Sequence, residues 1–442
     1  MTLEVAPGRC EVWVDPATDV RDEIAASSGV PELADKIWFH RTAAAVIDAG
    51  RCVGCGGCIA ACPSRSIGLG EDGKPTLVRM CTGCSACWDY CPLAGLRVER
   101  LSRDLRAAGT GKHPVDSGEG PARTTPGHAG SASAPQAPGE LGTVLRACSA
   151  AAITPAAGAQ DGGVVSALLA RLLEIGELDG VVATRRIDAF RGAPFLATSP
   201  DEVRAAAGSL YHQSHPLAIL NDELPPRMRR IAFVGTPCQI SVLRALQRFP
   251  WSRRRSAADA LVLTVALFCT RSFDPDRLAS SLADDGNSSG AVTRIDVRDG
   301  ELRASVDDGT PLFRRSVREL EEAALAGCDE CADFTGLDAD LAVGNLASAL
   351  GRSTVLVRTP GGLAALVAAS SALEIQPLPS LDPVVRAADR NRRRARRFRE
   401  RGFDPDGPLW ISYSEHLAAY SASGRAPAAP PAYRSQHYEV SC

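Results

Sequence analysis

The sequence contains two cysteine-rich stretches, RCVGCGGCIAACP at residues 51–63 and CTGCSACWDYCP at residues 81–92. Both have the spacing C-x2-C-x2-C-x3-C-P. The cysteines of the two runs are Cys52, Cys55, Cys58, Cys62, Cys81, Cys84, Cys87 and Cys91. A segment this short and this rich in glycine cannot fold around an apolar core alone, so a bound metal must supply stability. The two stretches therefore predict a small metal-stabilised module.

The spacing is typical of bacterial ferredoxins, in which the fourth cysteine of each run ligates the other cluster. We therefore predict one [4Fe–4S] cluster on Cys52, Cys55, Cys58 and Cys91, and a second on Cys62, Cys81, Cys84 and Cys87. Zinc is the alternative, but a zinc site typically uses two C-x2-C pairs or mixed cysteine and histidine ligands. Two complete runs favour iron–sulfur clusters, which transfer single electrons.

Composition sets broad limits on the rest of the chain. The 442 residues are 45% hydrophobic and 23% charged, with a net charge of −3, which is typical of a globular protein of two or three domains. This balance excludes a strongly basic nucleic-acid-binding protein. No apolar run is long enough to span a membrane, and MTLEVAPGRC at the N-terminus has no secretory signal features. We expect a cytoplasmic protein, in which dense cysteines are metal ligands.

Shifts in composition divide the chain into five segments. We predict an N-terminal extension, a two-cluster ferredoxin module, a flexible linker rich in Gly, Pro, Ser and Ala, an α/β domain, and a tail that begins with an Arg-rich helix. Their bounds are 1–50, 51–106, 107–140, 141–380 and 381–442.

Short apolar runs alternate with helical periodicity in the fourth segment, which predicts an α/β fold. The predicted strands are 144–148, 178–184, 231–235 and 261–269, and the predicted helices are 164–176, 201–207, 240–249, 275–283 and 384–401. Residues 291–315 predict a small hairpin or meander with turns at Asp299-Gly300 and Asp308-Gly309.

Four further cysteines follow predicted strands or form a C-x2-C pair. These are Cys238, Cys269, Cys328 and Cys331. From spacing alone, a third cluster and buried structural thiols both remain open.

Three glycine turns also follow predicted strands, and they are Asp161-Gly162-Gly163, Gly208-Ser209 and Gly235-Thr236-Pro237. Turns that open helices suit phosphate groups. None of them completes G-x-G-x-x-G, so a Rossmann fingerprint is weakly supported.

The second half of the chain resembles the family of β subunits of coenzyme F420-reducing hydrogenases and dehydrogenases. The stretches that carry the resemblance are DGGVVSALLARLLEIGELDGVV (161–182), AAAGSLYHQSHP (205–216), IAFVGTPCQISVLRAL (231–246), LFCTRSF (267–273), CDECADFTGLDADLAVGN (328–345) and STVLVRT (353–359). The resemblance implies FAD and a third [4Fe–4S] cluster on Cys238, Cys269, Cys328 and Cys331. The residues that it implies for cofactor binding are Gly162, Gly163, Val165, Ser166, Gly208, Ser209, Tyr211, Thr236, Pro237 and Gln239.

Two positions depart from the pattern of that family. Leu210 stands where members commonly have lysine, and Ser166 stands where threonine is common. Loss of a lysine weakens the attraction for an anionic cofactor such as F420, although arginines elsewhere can bind phosphate. Nearby, His212 and His215 are either hydrogen-bonding groups beside a flavin or part of a polar loop.

The resemblance implies an iron–sulfur flavoprotein oxidoreductase that transfers electrons between its clusters and F420 or a similar two-electron acceptor through FAD. We identify no catalytic dyad. One alternative is a ferredoxin-dependent reductase of another conjugated substrate. The other is a non-catalytic electron-relay subunit beside a hydrogenase-like or formate-dehydrogenase-like partner. A protein electron donor or acceptor is expected in each case, and no nucleic acid.

Overall fold

A computed structural model describes residues 38–84, 86–93, 141–221, 224–225, 228–248, 257–284, 292–306 and 310–400. The described chain is a small cysteine-rich module packed on an α/β domain. The predicted linker at 107–140 lies outside these residues, as do most of the predicted N-terminal extension and the tail beyond residue 400. Among the described helices, none combines the length and the apolar character that a membrane span requires.

The cysteine module is built from short elements. Helix α1 (Phe39–Thr42) continues as a π-helix (Ala43–Asp48), and α2 (Gly57–Ala60), the antiparallel hairpin β1 (Ile67–Leu69) and β2 (Pro75–Leu77), and α3 (Ala86–Asp89) follow. Phe39 and Ile47 pack against Ile59 and Ile67 in one apolar cluster. Residues 39–48, which we assigned to the N-terminal extension, therefore pack as part of the cysteine module.

In the described part of the α/β domain, eleven strands form the sheets. They are β3 (Arg146–Ala152), β4 (Gly180–Arg186), β5 (Gly192–Ala197), β6 (Ile231–Gly235), β7 (Leu261–Leu267), β8 (Arg294–Arg298), β9 (Glu301–Ser305), β10 (Pro311–Ser316), β11 (Leu341–Gly344), β12 (Ser353–Val357) and β13 (Leu373–Pro377). The large sheet has the order β13-β3-β12-β11-β7-β6-β4-β5. Its centre, from β4 through β6 and β7 to β11, is parallel, and the outer pairs are antiparallel.

Helices cover both faces of this sheet. Helices α4 (Val164–Glu174), α5 (Pro200–Ala205) and α8 (Pro360–Ala368) belong to the core on one face, and α6 (Pro237–Arg248) and α9 (Asp382–Glu400) belong to the core on the other. Helix α7 (Pro275–Asp284) packs instead against the small sheet of β8, β9 and β10. Successive residues of a strand point to opposite faces. Accordingly, Ile231 and Phe233 of β6 belong to one apolar core, and Ala232 belongs to the other. The core that contains Phe233 also contains Val53 and Trp88, so the cysteine module shares a core with the domain.

Strands β8, β9 and β10 form the predicted meander as a separate antiparallel sheet. Asp299 and Gly300 both have positive φ, which is the conformation that a tight hairpin turn requires. The predicted turn at 308–309 lies outside the described residues.

Two boundaries differ from the sequence prediction in ways that shape the site. Strand β7 ends at Leu267, before Cys269, and the Cys269 N–H donates to the Phe334 carbonyl at 2.9 Å. Helix α6 begins at Pro237 rather than at residue 240, which places Cys238 in its first turn. Both cysteines thus leave the regular sheet at the carboxyl ends of neighbouring parallel strands.

Candidate functional site

The first cysteine set surrounds one cavity. Its wall includes all four cysteines that we assigned to one cluster, Cys52, Cys55, Cys58 and Cys91. The Gly54 N–H points at the Cys52 sulfur at 3.5 Å, and the Gly57 N–H points at the Cys55 sulfur at 3.4 Å. Backbone donors of this kind stabilise negative charge on cluster sulfurs. The donor set therefore fits an iron–sulfur cluster, and Cys91 joins it from the other run.

The second set is Cys62, Cys81, Cys84 and Cys87. The pKa of Cys87 is raised to about 12, chiefly by burial; the Thr42 hydroxyl at 3.3 Å from its sulfur acts to lower it, and the other three thiols act to raise it. The other three sulfurs of the set therefore lie within electrostatic reach of Cys87. The Ser66 N–H points at the Cys62 sulfur at 3.2 Å.

The third set brings together residues that are far apart in sequence. Burial raises the pKa of Cys269 well above its usual value, and Cys328, Cys238 and Cys331 then raise it further. Cys328 and Cys331 lie in and just after a 3-10 turn (Ala326–Glu330). The Ser272 N–H points at the Cys328 sulfur at 3.4 Å. The structure thus gathers the four cysteines that spacing alone left open.

Among the described residues, no three His, Cys, Asp or Glu side chains converge tightly enough to hold a single metal ion.

The three sets form a sequence in space. Burial is the main cause that raises the pKa of Cys55, and the charges of Cys91 and then of Cys238 in the third set raise it as well. Burial likewise raises the pKa of Cys58, and after its own set Cys87 of the second set also raises it. The first set therefore lies between the other two.

A buried ion pair fastens the first set to the third. Arg51 donates to both carboxylate oxygens of Glu330 at 2.9 and 3.1 Å, and the two side chains are 8% and 0% exposed. Arg51 precedes Cys52, and Glu330 precedes Cys331. A Cβ at Gly327 would lie 2.1 Å from the Arg51 carbonyl oxygen, so the two loops are in direct contact. Sequence reasoning missed this pair because no local pattern links positions so far apart.

On the side opposite the ion pair, segment 208–217 forms hydrogen bonds with the loop that carries the first set. The His215 N–H donates to the Gly54 carbonyl at 2.9 Å, and the Leu217 N–H donates to the Cys55 carbonyl at 3.3 Å. Gly56, with φ of +79°, approaches so closely that a Cβ there would lie 2.7 Å from the His215 carbonyl oxygen. The loop that carries the first set therefore packs directly against the α/β domain.

The same segment connects the predicted cofactor residues. At one end, a Cβ on Gly208 would lie 3.3 Å from the Gly158 carbonyl oxygen, which places Gly208 and Ser209 beside the turn that leads to Gly162 and Gly163. At the other end, Gln213 bonds to Gln239, whose Oε1 accepts from the Thr236 N–H at 2.8 Å. The predicted turns at 161–163 and 208–209 thus lie at one end of segment 208–217, and the predicted turn at 235–237 lies at its other end.

Several predicted cofactor residues also have structural roles. A Cβ on Gly162 would lie 2.5 Å from the Ala150 carbonyl oxygen, so only glycine fits against β3. The Tyr211 hydroxyl accepts from the Val297 N–H at 2.8 Å and anchors the small sheet. Val165 and Ser166 lie half-buried in the first turn of α4, which Gly163 begins with a φ of +61°. Leu210, the departure from the family pattern, packs near Gly192 of β5.

His215 is 8% exposed, and its Nε2 has no hydrogen-bond partner among the described residues. Its pKa is lowered to about 4, mainly by burial and to a smaller extent by the nearby His212. Because the unfolded chain takes up this proton near pH 6.5, stability falls as the pH drops from 7 towards 4.

The free energy of unfolding of the wild type should fall between pH 7.5 and pH 5.5. We predict that this fall is about 1 kcal/mol smaller in His215→Asn. Asparagine keeps the left-handed backbone that His215 adopts at a φ of +56°, but it carries no titrating group. Urea denaturation midpoints at the two pH values check this. Equal pH dependence in both proteins would contradict it.

Comparisons with known proteins match both parts of the described chain. The family profile described as 4Fe-4S dicluster domain matches residues 44–92. Two further profiles describe the N-terminal and C-terminal parts of the coenzyme F420 hydrogenase/dehydrogenase beta subunit, and they match residues 147–221 and 228–380.

Two relatives and one solved structure are similar over much of the chain. The coenzyme F420 hydrogenase subunit beta of Methanothermobacter thermautotrophicus is 30% identical over 51% of this chain and 81% of its own length. A subunit of the F(420)H(2) dehydrogenase of Methanosarcina mazei is 24% identical over 81% of this chain and 94% of its own. A chain of the F420-reducing [NiFe] hydrogenase complex from Methanosarcina barkeri superposes with a TM-score of 0.55 at 25% identity, over 59% of this chain and 93% of that one.

These matches confirm the resemblance that the sequence motifs indicated, and the dicluster match confirms the iron–sulfur character of the N-terminal module. The chain belongs to the family of β subunits of coenzyme F420 hydrogenases and dehydrogenases.

Proposed function

We propose that the chain is an iron–sulfur flavoprotein oxidoreductase that transfers electrons between three [4Fe–4S] clusters and F420 through FAD. The observation that carries the proposal is the spatial order of the cysteine sets. The first set lies between the second and the third, and Cys55 approaches Cys238. Such an order provides a continuous path for single electrons from the cysteine module into the α/β domain.

The twelve cysteines would hold the clusters, eight as their spacing predicts and four as the resemblance implies, and the glycine turns around segment 208–217 would hold FAD. When bound, FAD exchanges a hydride with a deazaflavin and single electrons with a cluster. The protein excludes water and fixes the distances between centres. The buried Arg51–Glu330 pair and the contacts to Gly54 and Cys55 supply that rigidity.

An arginine supports an anionic cofactor where the family lysine is replaced by Leu210. Arg186 donates to the Ser209 carbonyl at 2.8 Å, and its Nη2 would lie 3.9 Å from a Cβ on Gly208. It thereby places a positive charge beside the glycine turns. Because guanidinium groups bind phosphate well, this residue compensates for the missing lysine.

The test of the proposal is to mix the anaerobically purified chain with reduced F420. We expect the flavin absorption to bleach and cluster reduction to follow. Full cofactor content with no response to F420 would instead support reduction of another conjugated substrate.

A second candidate is an electron-relay subunit. It is favoured by the superposition on a chain of a hydrogenase complex. In that case reduced F420 would still bleach the flavin absorption of the chain. The chain would pass electrons onward only when its hydrogenase-like partner is added.

The order of the sets predicts the result of Cys84→Ser. This variant should lose about four irons of the second cluster and keep its flavin. Reduction of the flavin by reduced F420 should persist, since that hydride transfer does not pass through the second cluster, whereas transfer to an external protein acceptor should fall to background. The two rates are measured in the same preparation. Wild-type transfer to the acceptor would show that electrons leave from another set.

A further inference from the structure

The Arg-rich helix α9 packs on the loops of the third cysteine set. Its buried residues recur at helical spacing, so one face of the helix is directed into the domain. These residues are Val384, Ala387, Ala388, Asn391 and Ala395. The helix lies beyond residue 380, where the family match ends. An Arg-rich helix of this kind is usually exposed to solvent. In this chain one face of the helix is instead buried in the core of the domain.

Two polar side chains of this helix bind the backbone of the cysteine loops. Asn391, which is 2% exposed, donates from Nδ2 to the Cys269 carbonyl at 3.2 Å. Arg394 donates from Nη2 to the Cys328 carbonyl at 2.9 Å and to the Thr270 carbonyl at 2.8 Å. Together they tie the strand-end cysteine to the C-x2-C turn.

Charged side chains surround the loops of the third set. Arg394 and Arg271 both pair with Asp329, at 3.5 and 2.9 Å, and Arg271 also pairs with Glu321 at 3.4 Å. The neighbouring Glu330 is already paired with Arg51. Glu321 is 64% exposed, whereas Arg394 and Arg271 are 19% and 11% exposed, so water screens the two guanidinium groups weakly. The Arg394 charge therefore lies beside the third set with little screening by water.

We propose that Asn391 and Arg394 are positioning residues of the third cysteine set, and that the Arg394 charge raises the reduction potential of the cluster held there. The inference rests on the proposed third cluster. Reduction adds one negative charge to a cluster, and a poorly screened cation nearby stabilises that charge. The hydrogen bond from Arg394 to the Cys328 carbonyl fixes the position of the charge, and the bond from Asn391 to the Cys269 carbonyl holds the helix in place beside the set.

Potentiometric titration of the full chain, followed by electron paramagnetic resonance, tests this. We expect Arg394→Met to lower the midpoint potential of the third cluster and to leave the other two unchanged. Arg394→Lys keeps the charge, so its potential should stay nearer the wild-type value even if its cluster is less stable. Arg393→Met is the matched control, because Arg393 is the adjacent residue of the same helix and is 59% exposed. It should cause no shift.

Asn391→Ala separates positioning from charge. It removes the contact to Cys269 without altering the charge, so we expect faster loss of about four irons to a chelator and an unchanged potential. Equal potentials in wild type and Arg394→Met, with full iron content in both, would overturn the inference and leave the three-cluster proposal intact. A wild-type chain with about eight irons would overturn both.

Discussion

Cys331→Ser is expected to reduce the iron content from about twelve to about eight atoms per chain while the two clusters of the cysteine module remain. Cys331 completes a set whose other members come from two strand ends and one turn, and it lies within electrostatic reach of Cys269. Electron transfer between the module and the flavin should fall to background, since the third set lies beyond the first on the path into the domain. Iron analysis checks the first effect, and the rate at which flavin reduced by F420 passes electrons to the clusters of the module checks the second.

Cys148→Ala is the matched control. Cys148 is also buried, at 2% exposed, but it lies in β3 within an apolar core that contains none of the twelve predicted ligands. Its iron content and kinetics should match those of the wild type. Equal iron content in the wild type and Cys331→Ser would exclude a third cluster on these cysteines.

The second large effect is expected for Glu330→Gln. The substitution removes the carboxylate of Glu330 that pairs with the buried Arg51 guanidinium, and removing one partner of a buried pair typically costs about 3–5 kcal/mol. Because this pair joins the first and third cysteine loops, the loss should appear as detachment of the module at lower urea concentration. Urea titration under anaerobic conditions, monitored by cluster absorption, measures it.

Glu374→Gln provides the surface comparison. Glu374 also pairs with an arginine, Arg352 at 3.4 Å, but its side chain is 61% exposed, so the cost should be below about 1 kcal/mol. The double variant Arg51→Met/Glu330→Leu should recover part of the stability that Glu330→Gln loses, because both charges of the buried pair are then removed together. Equal losses in Glu330→Gln and Glu374→Gln would contradict the role assigned to the buried pair.

Local patterns in the sequence carry much of this fold. The run IAFVG at 231–235 is short and apolar, and it forms the buried central strand β6. Helix α4 follows its predicted periodicity, and Gly163 begins it. The cysteine runs are similarly informative, because cluster chemistry requires fixed spacing between ligands.

Elements without a strong local pattern were not predicted. Strand β5 (GAPFLA) includes a proline and a glycine, and β13 at the sheet edge has mostly exposed residues. Both are defined by pairing with distant strands. The contacts of Arg51 with Glu330 and of Arg394 with the Cys328 carbonyl likewise depend on tertiary packing, which spacing in a sequence does not encode.

The docking of the cysteine module has a consequence for function. Its first loop bonds to segment 208–217 on one side and to the C-x2-C turn on the other. The described part of the module is therefore fixed against the domain, which favours a constant distance between the first and third sets. The proposed electron path depends on this arrangement.

The most direct test of the proposed electron path is quantitation of iron, sulfide and flavin in the anaerobically purified chain. Three clusters and one flavin correspond to about twelve irons, about twelve sulfides and about one FAD per chain, and this is the result we expect. About eight irons with no flavin would contradict the proposal and would restrict the redox centres to the two clusters of the cysteine module.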